Sequence, residues 1–214
     1  MAEIPAPIAN RAELVRNEID NGSGLGWDQL ARGHHDINTT LFARTPTGQD
    51  FRKQALSGNS ASVASLVQDV LKDHGNIDVL HYNAAALHKD TVLSQPIETF
   101  NTDLAVNIGG ALASIQTVLP PMTRQANGSI LLTGGGFGFC PPPDFLSLGI
   151  GKAGIRALAN GLFEDLKSKG VHIATVTVCK FVDPGSEDAK AVAEHFWTLH
   201  SQPKLDWTWE IQHS

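Results

Sequence analysis

The sequence has 214 residues, of which 42% are hydrophobic, and its formal net charge is −6. This length suits one α/β domain, and the hydrophobic content is too high for a disordered chain. The acidic balance, together with the absence of any run of Lys or Arg, argues against nucleic acid as a partner and favours a small molecule.

The first 60 residues give few clear signals. Residues 1–19 form a poorly defined amino-terminal segment, with acid and proline where a signal peptide needs a basic start and an apolar core. Residues 20–27, DNGSGLGW, are typical of a glycine-rich turn, but the segment before them is too polar for a central strand. Residues 39–44, TTLFAR, are predicted to form a strand. No stretch reaches the roughly 20 apolar residues of a spanning helix, so we expect a cytoplasmic protein that does not enter a membrane.

From residue 62 the pattern becomes regular, and helical and strand-like runs alternate. Gly109 and Gly110 lie inside one long helical run, where we expect close packing against a neighbour to offset their cost, and Pro120 is expected to end that run. The predicted helices cover residues 62–75, 97–119 and 147–168, and the predicted strands cover residues 77–84, 129–134 and 171–179.

This alternation predicts βαβ units and a parallel sheet, that is, an α/β fold of the Rossmann-like, doubly wound, three-layer αβα class. The carboxyl ends of parallel strands share one edge of the sheet, where ligands of such folds bind. The loops at that edge would be residues 83–86, residues 133–138 and the segment after Cys179.

The last 24 residues, 191–214, form an aromatic tail that holds three of the four tryptophans. We predict a short helix over residues 191–200, a strand over residues 207–211, and a role as core cover or subunit contact. The two cysteines, Cys140 and Cys179, are too few for a disulfide framework and are expected to be buried free thiols. No metal site is predicted, and residues 1–214 are expected to form a single domain.

Four segments together resemble the short-chain dehydrogenase/reductase family over roughly residues 20–190. Their order and separation are more specific than any one of them, and the resemblance is strongest to an atypical branch with a W-x-L-H-x-Q-P-type tail. The segments are YNAAA (82–86), VNIGGA (106–111), LLTGGG (131–136) and GKAGIRALANGL (151–162), and the tail residues are Trp197, Leu199, His200, Gln202 and Pro203.

The resemblance implies hydride transfer between NAD(H) or NADP(H) and a carbonyl or alcohol. Members of the family use a tyrosine as general acid/base, a lysine four residues later, a serine and an asparagine. Lys152 and Asn107 match the lysine and the asparagine and are the candidate catalytic residues. Leu148 and Gly135 occupy the positions of the tyrosine and the serine, so the usual proton donor is missing.

The resemblance also implies a set of cofactor-binding residues. Gly22, Gly24 and Gly26 would form the phosphate turn, although Asp20 replaces its first glycine and would repel a diphosphate. Arg44 suits the 2′-phosphate of NADP(H), which slightly favours NADP over NAD. The remaining candidates are Asn83, Ala84, Gly134 and Lys152. The aspartate expected to hold the adenine is absent from residues 56–59, so the amino-terminal portion looks degenerate.

Three functional hypotheses are consistent with these features. The first is an atypical NAD(P)-dependent oxidoreductase acting on a carbonyl or alcohol of a small apolar substrate, in which substrate or solvent supplies the proton. The second is a catalytically inactive Rossmann-like protein that binds a ligand or a partner, and the third is a divergent scaffold whose first 60 residues no longer build a cofactor half. A homodimer or homotetramer through the two long helices is the usual habit of the family. The substrate pocket of the first hypothesis would be walled by Phe137, Phe139, Phe145 and Leu148.

Overall fold

A computed structural model describes residues 38–44, 50–56, 60–183 and 185–214. Six strands form one sheet in the order β2-β1-β3-β4-β5-β6. The strands are β1 (Asn38–Arg44), β2 (Asp50–Leu56), β3 (Val79–Tyr82), β4 (Ser129–Gly135), β5 (His172–Val178) and β6 (Glu210–His213). The helices are α1 (Ser60–His74), α2 (Ile97–Leu104), α3 (Gly110–Gln125), α4 (Leu146–Ser168) and α5 (Glu187–Ser201).

Strands β3 to β6 pair in parallel, and helices connect each to the next. On one face of the sheet α1, α3 and α4 bury a large apolar cluster that includes Val67, Ile115 and Phe163. On the other face α5 buries Phe196 and Leu199 against β4 and β5. Because β4 and β5 are covered on both faces, they consist mainly of apolar and β-branched residues. The Rossmann-like, three-layer prediction is confirmed.

The sheet is not parallel throughout, because β1 pairs antiparallel with both of its neighbours, β2 and β3. Arg44 and Asp50 are the last paired positions of this hairpin, and β1 also pairs antiparallel with β3, with Leu41 in register with Tyr82 and Arg44 in register with Val79. A hairpin fits the short interval that the sequence leaves before α1, since antiparallel strands need no crossover helix. The predicted strand at residues 39–44 is therefore present. The predicted glycine turn, residues 20–27, and the amino-terminal segment, residues 1–19, lie outside the described residues.

The long helical run continues beyond the prolines, so its predicted end at Pro120 is wrong. Pro120 and Pro121 lie inside α3, which ends instead at Ala126 in the left-handed conformation, with φ of 50°. Val118 and Met122 lie on either side of the prolines and are both fully buried. We attribute the persistence of the helix to this buried contact, which offsets the missing backbone hydrogen bonds.

The run from Ile97 to Gln125 is long and apolar enough to cross a bilayer by length and composition alone. Core helices of globular proteins pass the same test, and here Ala111, Ile115 and Val118 are buried against the sheet. We therefore interpret this run as a core element of the fold.

The aromatic tail is part of the fold. Trp207 stacks on His172 of β5, with ring centroids 4.6 Å apart, and β6 forms the last strand of the sheet. The prediction of a core cover agrees with this arrangement. Both cysteines are free, as predicted, but the prediction that they are buried is wrong, because Cys140 and Cys179 are exposed. They follow β4 and β5 in the loops at the carboxyl edge, where less apolar structure covers the chain.

Candidate functional site

Asn107 lies in a single π-helical turn, Ala105–Gly109, between α2 and α3. Such a turn inserts one residue into a helix and commonly marks a functional site. The buried Asn107 accepts a hydrogen bond from the backbone N–H of Ala86 at 2.7 Å and donates one to the carbonyl of Ala86 at 3.3 Å. Asn107 thus holds the loop that follows β3. The oxygen and the nitrogen of its side-chain amide both take part in this contact.

Two glycines make room for this turn. Tyr82 is buried and donates a hydrogen bond to the carbonyl of Val106 at 2.5 Å. A Cβ on Gly110 would lie 2.3 Å from the Tyr82 hydroxyl, and a Cβ on Gly151 would lie 2.4 Å from Cβ of Asn107. The predicted close packing at Gly110 is therefore confirmed.

Lys152 reaches from α4 to the end of β4. Its ammonium donates a hydrogen bond to the carbonyl of Thr133 at 2.9 Å, and burial lowers the pKa of Lys152 from its ordinary 10.5 to about 8. Its aliphatic stem lies over Gly135, where an added Cβ would be 3.2 Å from Cγ of the lysine. The lysine stem therefore crowds the position that the resemblance assigns to the serine.

Leu148, at the position that the resemblance assigns to the tyrosine, is buried. The preceding residue, Ser147, is also buried and donates a 2.6 Å hydrogen bond to Asp103. Asp103 in turn accepts a 2.6 Å hydrogen bond from Nδ1 of His88 and a 3.2 Å bond from Gln95. We call His88, Asp103 and Ser147 the histidine cluster. No pattern in the sequence indicated this cluster, because its three residues lie far apart in the chain.

A second polar group lies one helical turn beyond Lys152. Arg156 donates two hydrogen bonds of 2.9 Å to the carboxylate of Glu210, which also accepts a 2.7 Å bond from Thr177. Burial raises the pKa of Glu210, but the hydrogen bonds from Arg156, Thr177 and Gln212 outweigh this effect and lower it overall. We call Arg156, Glu210 and Thr177 the arginine cluster.

The remaining candidate residues divide between the two edges of the sheet. Asn83 is exposed and Ala84 is half-buried in the loop after β3, at the same edge as Asn107 and Lys152. Gly134 lies at that edge too, but a Cβ there would be 2.8 Å from the hydroxyls of Thr175 and Thr177, so contacts within the protein already require a glycine. Arg44 pairs with Val79, at the opposite end of β3. The structure therefore does not bring Arg44 to the edge that holds Lys152.

Only part of the predicted apolar pocket wall is assembled. The rings of Phe137 and Phe145 lie 5.7 Å apart, and the exposed Phe181 meets Phe137 edge-on at 6.3 Å. Phe139 lies instead over the guanidinium of Arg156, at 5.0 Å. Leu148 is buried in the packing of α4. The aromatic wall at this edge therefore consists of Phe137 and Phe145, from the connection between β4 and α4, and Phe181, from the connection between β5 and α5.

The described residues fit the ribose and nicotinamide end of a dinucleotide. Lys152 presents an ammonium with three N–H donors, of which Thr133 takes one, and ribose hydroxyls are suitable acceptors for the others. Glycines at 134–136 leave that edge free of side chains. The residues predicted to hold the diphosphate, Gly22, Gly24 and Gly26, lie outside the described part of the chain.

Comparisons with known proteins agree with this architecture. The sequence profile of the short chain dehydrogenase family matches residues 43–191. An oxidoreductase of Staphylococcus saprophyticus without an assigned reaction is 26% identical over 144 residues, which cover 67% of this chain and 58% of that protein. The human dehydrogenase/reductase SDR family member 4 is 24% identical over 182 residues, which cover 78% of this chain and 64% of that protein. The chain thus spans about three fifths of the length of these relatives.

Solved structures show the same fold. A metagenomic short-chain oxidoreductase in complex with NADP superposes with a TM-score of 0.65 at 21% identity, covering 73% of this chain and 70% of that one. A short-chain dehydrogenase from Rhodopseudomonas palustris superposes with a TM-score of 0.68 at 22% identity, covering 78% of this chain and 76% of that one.

Proposed function

The chain belongs to the short-chain dehydrogenase/reductase family, and we propose that it is an NAD(P)-dependent oxidoreductase acting on a carbonyl or alcohol of a small apolar substrate. The observation that carries the proposal is the position of Lys152, whose partly desolvated ammonium lies beside the glycines that end β4. The three-phenylalanine wall at the same edge supports an apolar substrate.

The bound dinucleotide would supply the hydride chemistry. The chain's own residues have other tasks. Lys152 holds ribose hydroxyls and so orients the nicotinamide, while Asn107 fixes the loop after β3 through Ala86. Preorganisation of this kind accounts for much of the rate gain in enzymes. Arg44 lies at the opposite edge of the sheet from Lys152 and so gives no support to NADP over NAD; only the metagenomic relative, which is bound to NADP, supports that preference.

Isothermal titration calorimetry tests the proposal with NADPH and NADH. We expect micromolar binding by the wild type and a loss of about tenfold or more in Lys152→Ala, since hydrogen bonds from charged groups contribute about 1.5–3 kcal/mol. Lys169→Ala is the matched control, because Lys169 follows the other end of α4 and pairs with the exposed Asp165. A folded wild type that binds neither nucleotide would refute the proposal.

A second candidate function is favoured by Leu148. Because Leu148 is buried in the tyrosine position and the Lys152 stem crowds the serine position, the chain could bind its ligand without turnover. Tight binding of NADPH combined with no oxidation of it by any of a panel of aldehydes and ketones would favour this candidate.

We further propose that the protein is a cytoplasmic homodimer or homotetramer assembled through α3 and α4. Leu112 on α3 and Ile150 on α4 support this, since these large apolar side chains are 38% and 37% exposed. Light scattering of the wild type and of Ile150→Lys tests it, with a monomeric variant as the expected result.

A further inference from the structure

The histidine cluster is built around a carboxylate that is expensive to bury. Asp103 is fully buried, and its two oxygens accept hydrogen bonds from His88, Ser147 and Gln95. An isolated buried carboxylate would cost several kcal/mol, and three donors offset this cost. A leucine in this helix position would pack without any such requirement. The cluster therefore needs an explanation beyond packing.

The carboxylate determines the tautomer of His88. An ionised carboxylate only accepts hydrogen bonds, so Nδ1 of His88 carries the proton and Nε2 of the neutral ring carries the lone pair. Among the residues that the structure describes, Nε2 has no hydrogen-bond partner, and the side chain of His88 is 31% exposed. The imidazole of His88 is thus held at Nδ1 on a partly exposed side chain, and its Nε2 is not used by the described part of the chain.

The histidine cluster lies beside Leu148, the position that the resemblance assigns to the tyrosine. Ser147 immediately precedes Leu148, and Asp103 lies one helical turn before Asn107. His88 lies in the loop that Asn107 holds through Ala86, two residues further along. The same loop follows β3 at the ligand edge of the sheet. Three elements that surround the candidate site therefore contribute one residue each to the cluster.

We propose that His88 is the proton-transfer residue of this enzyme, with Asp103 as its positioning residue, an assignment that rests on the proposed function. In alcohol oxidation the O–H proton moves to Nε2 of His88, while the C–H electron pair leaves as hydride to the oxidised nicotinamide. In carbonyl reduction Nε2 of the protonated ring returns the proton to the carbonyl oxygen. Because His88 is partly exposed, the ring exchanges this proton with water between turnovers.

Nitrogen-15 NMR of the histidine rings tests the assignment without a known substrate. We expect His88, identified by the signals lost in His88→Gln, to be the Nδ1–H tautomer and to lose that preference in Asp103→Asn. Saturation with NADPH should shift the His88 ring signals and leave those of His200 in place. His200 is a suitable control because it contacts Ser129, the first residue of β4, at the opposite edge.

Unmoved His88 signals in a protein that calorimetry shows to be saturated with NADPH would overturn the assignment. An Nε2–H tautomer in the wild type would also overturn it. If the folded protein binds no nucleotide at all, the proposed function itself fails, and the assignment fails with it. Calorimetry distinguishes the two failures, because it measures nucleotide binding independently of the His88 signals.

Turnover gives the second measurement, with NADPH oxidation followed across a panel of aliphatic and aromatic aldehydes and ketones. General acid–base groups contribute about 100-fold or more, so we expect His88→Gln to lower kcat by at least that factor without changing KM or the affinity for NADPH. His200→Gln should retain the wild-type kcat. Equal kcat values for His88→Gln and the wild type would overturn the assignment.

Discussion

The histidine cluster and the arginine cluster lie on either side of Lys152 along α4 and have similar chemical contents. In the arginine cluster the two charged groups bond to each other: the guanidinium donates two hydrogen bonds to Glu210, and it lies 5.0 Å from the ring centre of Phe139 and 4.8 Å from that of Trp209. In the histidine cluster one ring nitrogen of His88 is left over. A cluster whose charged groups hydrogen-bond to each other stabilises the fold. A cluster with an unused ring nitrogen at the ligand edge is also able to transfer a proton.

The largest effect is expected from breaking the arginine cluster. Glu210→Ala leaves Arg156 and Thr177 without their shared acceptor. The side chain of Glu210 is only 9% exposed, so water replaces this acceptor poorly. Removing one partner of a buried pair costs about 3–5 kcal/mol, and the partial exposure of Arg156 places the expected loss of unfolding free energy at about 3 kcal/mol. Urea denaturation measures it.

Glu187→Ala is the control for this experiment. Glu187 forms an exposed ion pair with Lys190, so its removal should change the free energy of unfolding by no more than about 0.5 kcal/mol. Similar losses in the two variants would show that the arginine cluster contributes no more than a surface ion pair.

An intermediate effect is expected from Lys152 and depends on pH. Its pKa is about 8 in the fold against 10.5 when unfolded, so between these values the unfolded chain binds the additional proton and the wild type gains stability as pH rises. Relative to Lys152→Met, we expect the wild type to gain about 2 kcal/mol across this range. Urea denaturation at several pH values measures the difference.

The exposed Lys169 provides the comparison for this pH dependence. Lys169→Met should show the same dependence of stability on pH as the wild type, since Lys169 is about half exposed and pairs with Asp165. Parallel stability curves for Lys152→Met and the wild type would contradict a desolvated lysine between the two clusters.

The smallest effect is expected from Ser147→Ala in the histidine cluster. Asp103 keeps its bonds from His88 and Gln95 and loses one charge-assisted donor, which costs about 1.5 kcal/mol. Thermal or urea unfolding measures the loss. Ser168→Ala in the same helix, where the exposed hydroxyl bonds the carbonyl of Asp165, should be nearly neutral. A Ser147→Ala variant as stable as Ser168→Ala would mean that Asp103 does not need its third donor.

Much of the fold could be predicted from the sequence because its signals are local. The helix at residues 62–75 and the strands at 129–134 and 171–179 have clear apolar periodicity, and the structure has each of them within a few residues. The predicted end of the helix at Pro120 was wrong, since the buried contacts of Val118 and Met122 outweigh the low helix propensity of proline. The antiparallel pairing of β1 could not be read from residues 39–44, because one strand's sequence does not specify its partner.

The candidate site, like the fold, could be predicted only in part from the sequence. The family and the parallel sheet could be predicted from the sequence, because they depend on residue identity and spacing along the chain, and the candidates Lys152 and Asn107 came from the same spacing. Only the tertiary structure placed Arg44 at the opposite edge from Lys152 and joined His88, Asp103 and Ser147. His88 and Asp103 are 15 positions apart in the chain, and Asp103 and Ser147 are 44 apart. Contacts over such separations leave no periodic pattern in a sequence, since they arise only when helices and loops pack around a common core.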